Sequence, residues 1–309
     1  MKTLRRLLSL IVTITFAGAS SLAAQDLAIN NVRIIVGTGQ VIEQGTIVIR
    51  GGRIVSASAG NTAAPGVRAL DGKGLTAVTG YIDAHRHIVQ GGGRGGRGGG
   101  GAEAWLKNDA PARMQEFLEA GYTTLMSAGG AAEPVVALKK AIDSGQMKGP
   151  RIIPSGPLQL GENPTPEAAR EVIRKLAAAD IHFTGEVNVN SFKPDPKQLE
   201  ALAAAIDEGK KVGVDVAIHA ASVVAMNAAV KLGVPKLVHT PHFQWMSDAD
   251  AQAAKAAGTQ VSSCTGFGAP VFSVFNKENA PTFRDGGKWP DAILDGEGRG
   301  REAGYKPVN

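Results

Sequence analysis

Two patterns of apolar and polar positions divide this chain. Over residues 27–57, short β-rich runs (27–36, 45–50, 53–57) are separated by the turns Gly37-Thr38-Gly39 and Gly51-Gly52, which predicts a small antiparallel unit. After Gly80, apolar strand-like runs alternate with Ala-rich stretches of helical period, which predicts βα units and a parallel sheet. Strands are expected over 80–89, 123–127, 151–155, 181–187, 214–219, 236–240 and 259–264. Helices are expected over 110–120, 134–144, 165–178, 197–211, 222–232 and 247–256.

Seven such strands are one short of a closed (β/α)8 barrel. The tail, 265–309, is rich in Gly, Pro and charge and offers no eighth apolar run. The expected fold is therefore α/β, an incomplete (β/α)8 TIM barrel with a small N-terminal β-sandwich-like domain. On this reading an eighth βα unit and closing strands for the small domain would follow Asn309 in a complete relative. The competing reading is a compact non-barrel α/β fold with a long ordered tail.

The first residues are a separate matter. A basic start (Lys2, Arg5, Arg6), an apolar stretch over 7–17 and the small residues Ser21-Leu22-Ala23-Ala24 have the form of an export signal. The apolar run is shorter than the roughly 20 residues that span a bilayer, so a stable membrane anchor is not expected. The predicted division is 1–24 signal peptide, 25–75 small β domain and 76–309 barrel, with the protein periplasmic or secreted. Removing 1–24 lowers the formal net charge from +5 to +2. No sustained basic face remains, so no nucleic-acid partner is expected. The single cysteine, Cys264, excludes an intramolecular disulfide. Composition leaves a homo-oligomer open.

The chemistry concentrates in Gly80-Tyr81-Ile82-Asp83-Ala84-His85-Arg86-His87. Side chains two apart on a strand share a face, so His85 and His87 can reach one ion, with Asp83 behind them on that face to orient a ligand. Strand C-terminal ends are where a barrel carries its chemistry. Four of the six histidines, His85, His87, His219 and His239, fall at such ends. His182 is expected to pack within the barrel, and His242 to have a structural or loop role.

These motifs resemble the amidohydrolase superfamily, and within it the exported imidazolonepropionase-like and Xaa-Pro dipeptidase-like members. The resemblance rests on Asp71-Gly72-Lys73-Gly74 before Gly80–His87, on Gly121-Tyr122-Thr123-Thr124, on Ile218-His219-Ala220 and on Leu237-Val238-His239. The runs Asn31–Ile34, Gly45–Ile49 and Gly51–Val55 also resemble that family's small β domain. The resemblance implies a hydrolase with one or two divalent ions, His85 and His87 binding one and His219 and His239 the other. Zn²⁺ suits such ligands best, with Mn²⁺, Fe²⁺ and Co²⁺ not excluded. It also implies a carboxylated lysine or a glutamate between the ions at the fourth strand. The matching stretch, Ile181–Val187, has no lysine, so Glu186 is the choice, on the face of His182 and Thr184. Lys193 or a mononuclear site without a bridge are the alternatives.

The sequence departs from the family at the general base, an aspartate on the eighth strand. Asp285, Asp291 and Asp295 lie in no strand-like run, so the catalytic acid–base residue is unknown. The expected activity is metal-dependent hydrolysis of an amide, peptide-like or cyclic amide C–N bond in a small molecule. The alternative is a non-catalytic metal-binding fragment of such an enzyme. The Gly-rich run 91–101, with Arg94 and Arg97, is expected to be a flexible loop beside the site whose arginines could meet a substrate carboxylate. Trp105, Trp245 and Trp289 are expected to be buried in packing.

Overall fold

In the computed structural model, residues 26–62, 64–89, 101–190, 193–241 and 246–263 are described. The first 25 residues, Arg94, Arg97, His242, Trp245, Cys264, Trp289 and the tail with Asp285, Asp291 and Asp295 lie outside them. The chain divides into two units, Met1–Thr79 and Gly80–Asn309.

The first unit is one five-stranded sheet of order β3-β2-β1-β4, with β5 also paired to β1. The strands are β1 (Leu27–Ile35), β2 (Val41–Arg50), β3 (Arg53–Ala59), β4 (Arg68–Asp71) and β5 (Thr76–Ala77). The expected hairpins β1–β2 and β2–β3 are antiparallel, but β4 and β5 run parallel to β1. The sheet is thus mixed, where the pattern had predicted an antiparallel unit. Sequence missed the two added strands because β4 is exposed at every position and β5 has two residues, leaving no alternation to read. Val32, Ile34 and Ile47 form its buried core.

In the second unit every strand runs parallel. β6 (Tyr81–Arg86), β7 (Tyr122–Ser127) and β8 (Arg151–Ile153) form one run. β9 (Phe183–Asn188), β10 (Asp215–His219), β11 (Lys236–Val238) and β12 (Gln260–Ser262) form another. A parallel bridge between Gly156 and Thr184 joins them, giving the seven-strand order the pattern predicted. Among the described residues, no pairing joins β12 back to β6.

Helices α2 (Ala110–Glu119), α3 (Ala132–Asp143), α4 (Pro166–Ala178), α5 (Pro196–Val212), α6 (Val223–Lys231) and α7 (Asp248–Ala256) alternate with these strands, each near its expected place. One helix was not foreseen: α1 (Gly101–Asn108), which buries Trp105. Strand residues Leu125, Ile152, Ile218 and Leu237 are fully buried, as are helix residues Met114, Leu138, Ile173, Leu202 and Met226. Burial of each such side chain stabilises by about 1.5–3 kcal/mol. None of the described helices is long and apolar enough to cross a membrane.

Helix caps decide where the strands begin. Thr165 and Asp195 cap α4 and α5, each followed by Pro at the first helical position. α5 ends at Gly213, whose φ of 76° is the left-handed conformation that glycine adopts without strain. That turn sends Val214 directly into β10, the strand that ends in His219.

Candidate metal centre

Four histidines from three strand ends converge on Glu186. The Oε1 atom accepts a hydrogen bond from His87 Nε2 at 2.9 Å and lies 3.9 Å from His85 Nε2. The Oε2 atom accepts from His219 Nδ1 at 2.9 Å and from His239 Nε2 at 3.1 Å. One carboxylate oxygen therefore faces the β6 pair and the other faces the pair from β10 and β11. All five residues singled out from sequence meet here, and Asp83 accepts from the His85 backbone N–H at 3.0 Å.

The position of Glu186 depends on an irregularity in β9. The β9–β10 register passes from Phe183–Asp215 to Glu186–Ala217, so three β9 residues span what two span on β10. This is a β-bulge, which re-aims the side chains that follow it. The ladder group it displaces, the Ala217 N–H, donates instead to the buried Thr184 hydroxyl at 2.9 Å. At the bulge β9 bonds to the chain just beyond β8 and just beyond β7: Gly185 N donates to Gly156 O, and Glu186 N to Ala128 O at 2.8 Å. A Cβ on Gly185 would stand 2.8 Å from Gly129 Cα. Only glycine permits that approach.

The bulge also corrects the expectation for His182. It precedes β9, is exposed, and sits between the Gly213 carbonyl and the Asp180 carboxylate at 3.1 Å each. It does not pack within the barrel or share a face with Glu186. Lys193, the alternative bridge, is exposed beyond the end of β9.

His239 follows β11 in the left-handed region, with φ of 67°, and is buried. Such a conformation in a non-glycine residue costs about 1–2 kcal/mol and is found at functional sites. It is not legible in Leu237-Val238-His239.

Electrostatics prepare these groups for a cation. Burial pushes the Glu186 carboxyl up, but hydrogen bonds from His219, His239 and His87 together outweigh it and hold the group well below the usual carboxylate range. Burial pushes the His85 imidazole down to about 4; Glu186 opposes this, and His239, His87 and Lys236 reinforce it. His87 is raised, chiefly by its hydrogen bond to Glu186. Ligand atoms of His85, Glu186 and His239 lie within 4.8 Å of one another. The buried Nδ1 of His85 has no hydrogen-bond partner among the described residues. An ionised carboxylate and a partly buried neutral imidazole with a nitrogen to spare are a donor set that fits a divalent ion.

Beside the centre, a cavity of about 470 Å³ is lined by His87 together with Arg86, Trp105, Arg113 and Phe117. Both guanidinium groups lie over the Phe117 ring, at 5.0 and 5.2 Å from its centroid.

A family model described as the amidohydrolase family matches residues 76–269. An imidazolonepropionase from Caldanaerobacter subterraneus subsp. tengcongensis is 22% identical over 259 residues, covering 71% of this chain and 61% of the relative. An adenine deaminase from Escherichia coli is 43% identical over 68 residues, 21% of this chain and 11% of the deaminase. The chain thus spans less than two thirds of either curated relative. Among solved structures, a Xaa-Pro dipeptidase with methionine in its active site superposes with a TM-score of 0.67 at 20% identity, covering 92% of this chain and 78% of the dipeptidase.

Proposed function

This chain belongs to the amidohydrolase family, metal-dependent hydrolases that act on C–N bonds, and from that premise we propose that it cleaves a small peptide-like or cyclic amide in the periplasm or outside the cell. The observation that carries the reading is the division of the Glu186 carboxylate, one oxygen toward His85 and His87 and the other toward His219 and His239.

In this reading the four imidazoles and Glu186 hold one or two Zn²⁺ ions. The role of this chain's residues follows from their protonation. His85, with its pKa near 4, is neutral at physiological pH and offers a lone pair without first losing a proton. Glu186, ionised throughout that range, supplies the negative charge that offsets a cation in a partly buried site. A bound divalent ion supplies Lewis acidity, which acidifies water and polarises the scissile carbonyl.

The cavity beside His87 has a volume within the range of small-molecule sites. Its Arg86 suits a substrate that carries a carboxylate, as a dipeptide does, while Arg113 already pairs with Glu116 on the same cavity wall at 2.7 Å. The names of the imidazolonepropionase and the Xaa-Pro dipeptidase support cyclic amides and dipeptides as the classes to try first. Export is supported by the basic, apolar and small-residue succession of the first 24 residues.

The test is a panel of Xaa-Pro and other dipeptides and of cyclic amides, assayed with the folded protein after metal loading. Hydrolysis of one class, abolished by a chelator, is expected. Uniform absence of hydrolysis in folded, metal-loaded protein would leave the alternative, metal binding without turnover.

A further inference from the structure

A lysine inside the second unit ties together two strands that supply the metal centre. Lys236 opens β11, three residues before His239. Its Nζ donates to the Ala84 carbonyl on β6 at 3.0 Å and lies 3.1 Å from the Met126 sulfur on β7. Ala84 is the residue immediately before His85. Four strands separate β6 from β11 in the sheet order, so the lysine joins two strands that share no ladder.

Two links therefore join the same pair of segments: Lys236 to Ala84 below, and the His239 ring beside the His85 ring above, with centroids 4.7 Å apart. Among the described residues β6 pairs with β7 alone. A strand held by a ladder on one side needs another restraint to keep a ligand within the few tenths of an ångström that metal coordination tolerates. We propose that Lys236 is a positioning residue, which fixes the end of β6 against β11 and so sets the spacing of His85 and His239. The inference rests on the metal-centre reading above.

Coulomb's law alone gives the opposite expectation, and this makes the idea testable. An ammonium near a cation site repels the cation, so removing it should tighten metal binding unless its positioning role dominates. The experiment compares wild type, Lys236→Met and Lys236→Arg in the full chain, with Co²⁺ and Zn²⁺ affinities from chelator competition, the visible spectrum of bound Co²⁺, and the melting temperature of the metal-free protein. If positioning dominates, Lys236→Met weakens binding by roughly 10- to 100-fold, the range for residues that orient ligands, and changes the Co²⁺ spectrum. Lys236→Arg, which still donates, restores both. Equal or tighter binding by Lys236→Met with an unaltered spectrum overturns the proposal.

Should Lys236→Met fail to fold, Lys236→Gln carries the test on the same readouts, since it is polar but too short to reach Ala84. Absence of metal binding in folded wild type would count against the proposed function, not against this tie. In that event the imidazole NMR signals of the metal-free protein decide: a His85 resonance unmoved by either substitution overturns the positioning role.

Discussion

The rings of His85 and His239 lie 4.7 Å apart, centroid to centroid, although four strands stand between β6 and β11 in the sheet. In a flat sheet strands separated by four others would be more than 20 Å apart, at roughly 4.8 Å per strand. The sheet therefore curls until its first and sixth strands face one another. That curvature turns histidines distant in sequence into one site, and the same proximity is what a shared ion requires.

The first prediction concerns that ion. Wild-type protein is expected to purify with zinc or a similar metal, and His85→Ala with His87→Ala to lose it, as measured by elemental analysis of folded protein. Added Zn²⁺ at about 100 times its dissociation constant should stabilise the wild type by about 2.7 kcal/mol. The double variant should show no such gain. Unchanged metal content in that variant would remove these residues from the site.

The second concerns protonation in the metal-free protein. His85 is pushed to about 4 by burial, while His87 is raised above its ordinary 6.5 by the Glu186 hydrogen bond. Titration of the two imidazoles by NMR should give midpoints on opposite sides of 6.5. The signs for stability also differ. The depressed His85 contributes stability that is present above 6.5 and lost as pH falls toward 4. The raised His87 contributes stability that is complete below 6.5 and lost as pH rises through its folded value. Coincident titration of the two rings near 6.5 would contradict this electrostatic arrangement.

Much of this was legible in the sequence because the relevant signals are periodic. The seven strands of the second unit have enough apolar length, and enough Ala-rich helix between them, for the 2.0 and 3.6 periods to separate. His85, His87, His219 and His239 were legible because each ends such a run. What escaped notice lacks a periodic signature. The exposed β4 and the two-residue β5 have no alternation, and the β9 bulge breaks parity, so the face assigned to His182 was wrong. Lys236 looks like any charge at the start of a strand, and its carbonyl partner lies 152 positions away.

Glu186→Gln tests the centre more directly. The amide keeps the volume but loses the charge that draws hydrogen bonds from three imidazoles. Metal affinity should fall by at least about 100-fold, the upper end for groups that only orient a ligand. In the metal-free variant the His87 midpoint should drop, because the group that raises it is gone. A variant with wild-type affinity would show that the carboxylate is not a ligand.

Arg86→Met addresses the substrate. Loss of a charge-assisted hydrogen bond costs roughly 1.5–3 kcal/mol, so the KM for a carboxylate-bearing substrate should rise by about tenfold or more. The kcat should change little, since Arg86 lines the cavity beside the reacting centre and holds no ligand position. The corresponding amide-capped substrate should be insensitive to the change. Equal effects on both substrates would mean that the guanidinium does not read the carboxylate.

Gly185→Ala asks whether the approach of β9 to β7 positions Glu186. The added methyl would stand 2.8 Å from Gly129 Cα and 3.2 Å from Ala128 O. Both are backbone atoms, so no side-chain rotation relieves the contact and one strand end must move. Overpacking of this kind costs typically 1–3 kcal/mol, readable as a lower urea midpoint at unchanged slope. Movement of β9 would also stretch the hydrogen bond from Glu186 N to Ala128 O, now 2.8 Å, and carry the carboxylate off the line between the two histidine pairs. Metal affinity should therefore fall along with stability, and excess metal should recover only part of the lost midpoint. A variant that is less stable yet binds metal as tightly as wild type would mean that Glu186 is held by its imidazole partners alone, and that the glycine contact serves only the packing of the two strands.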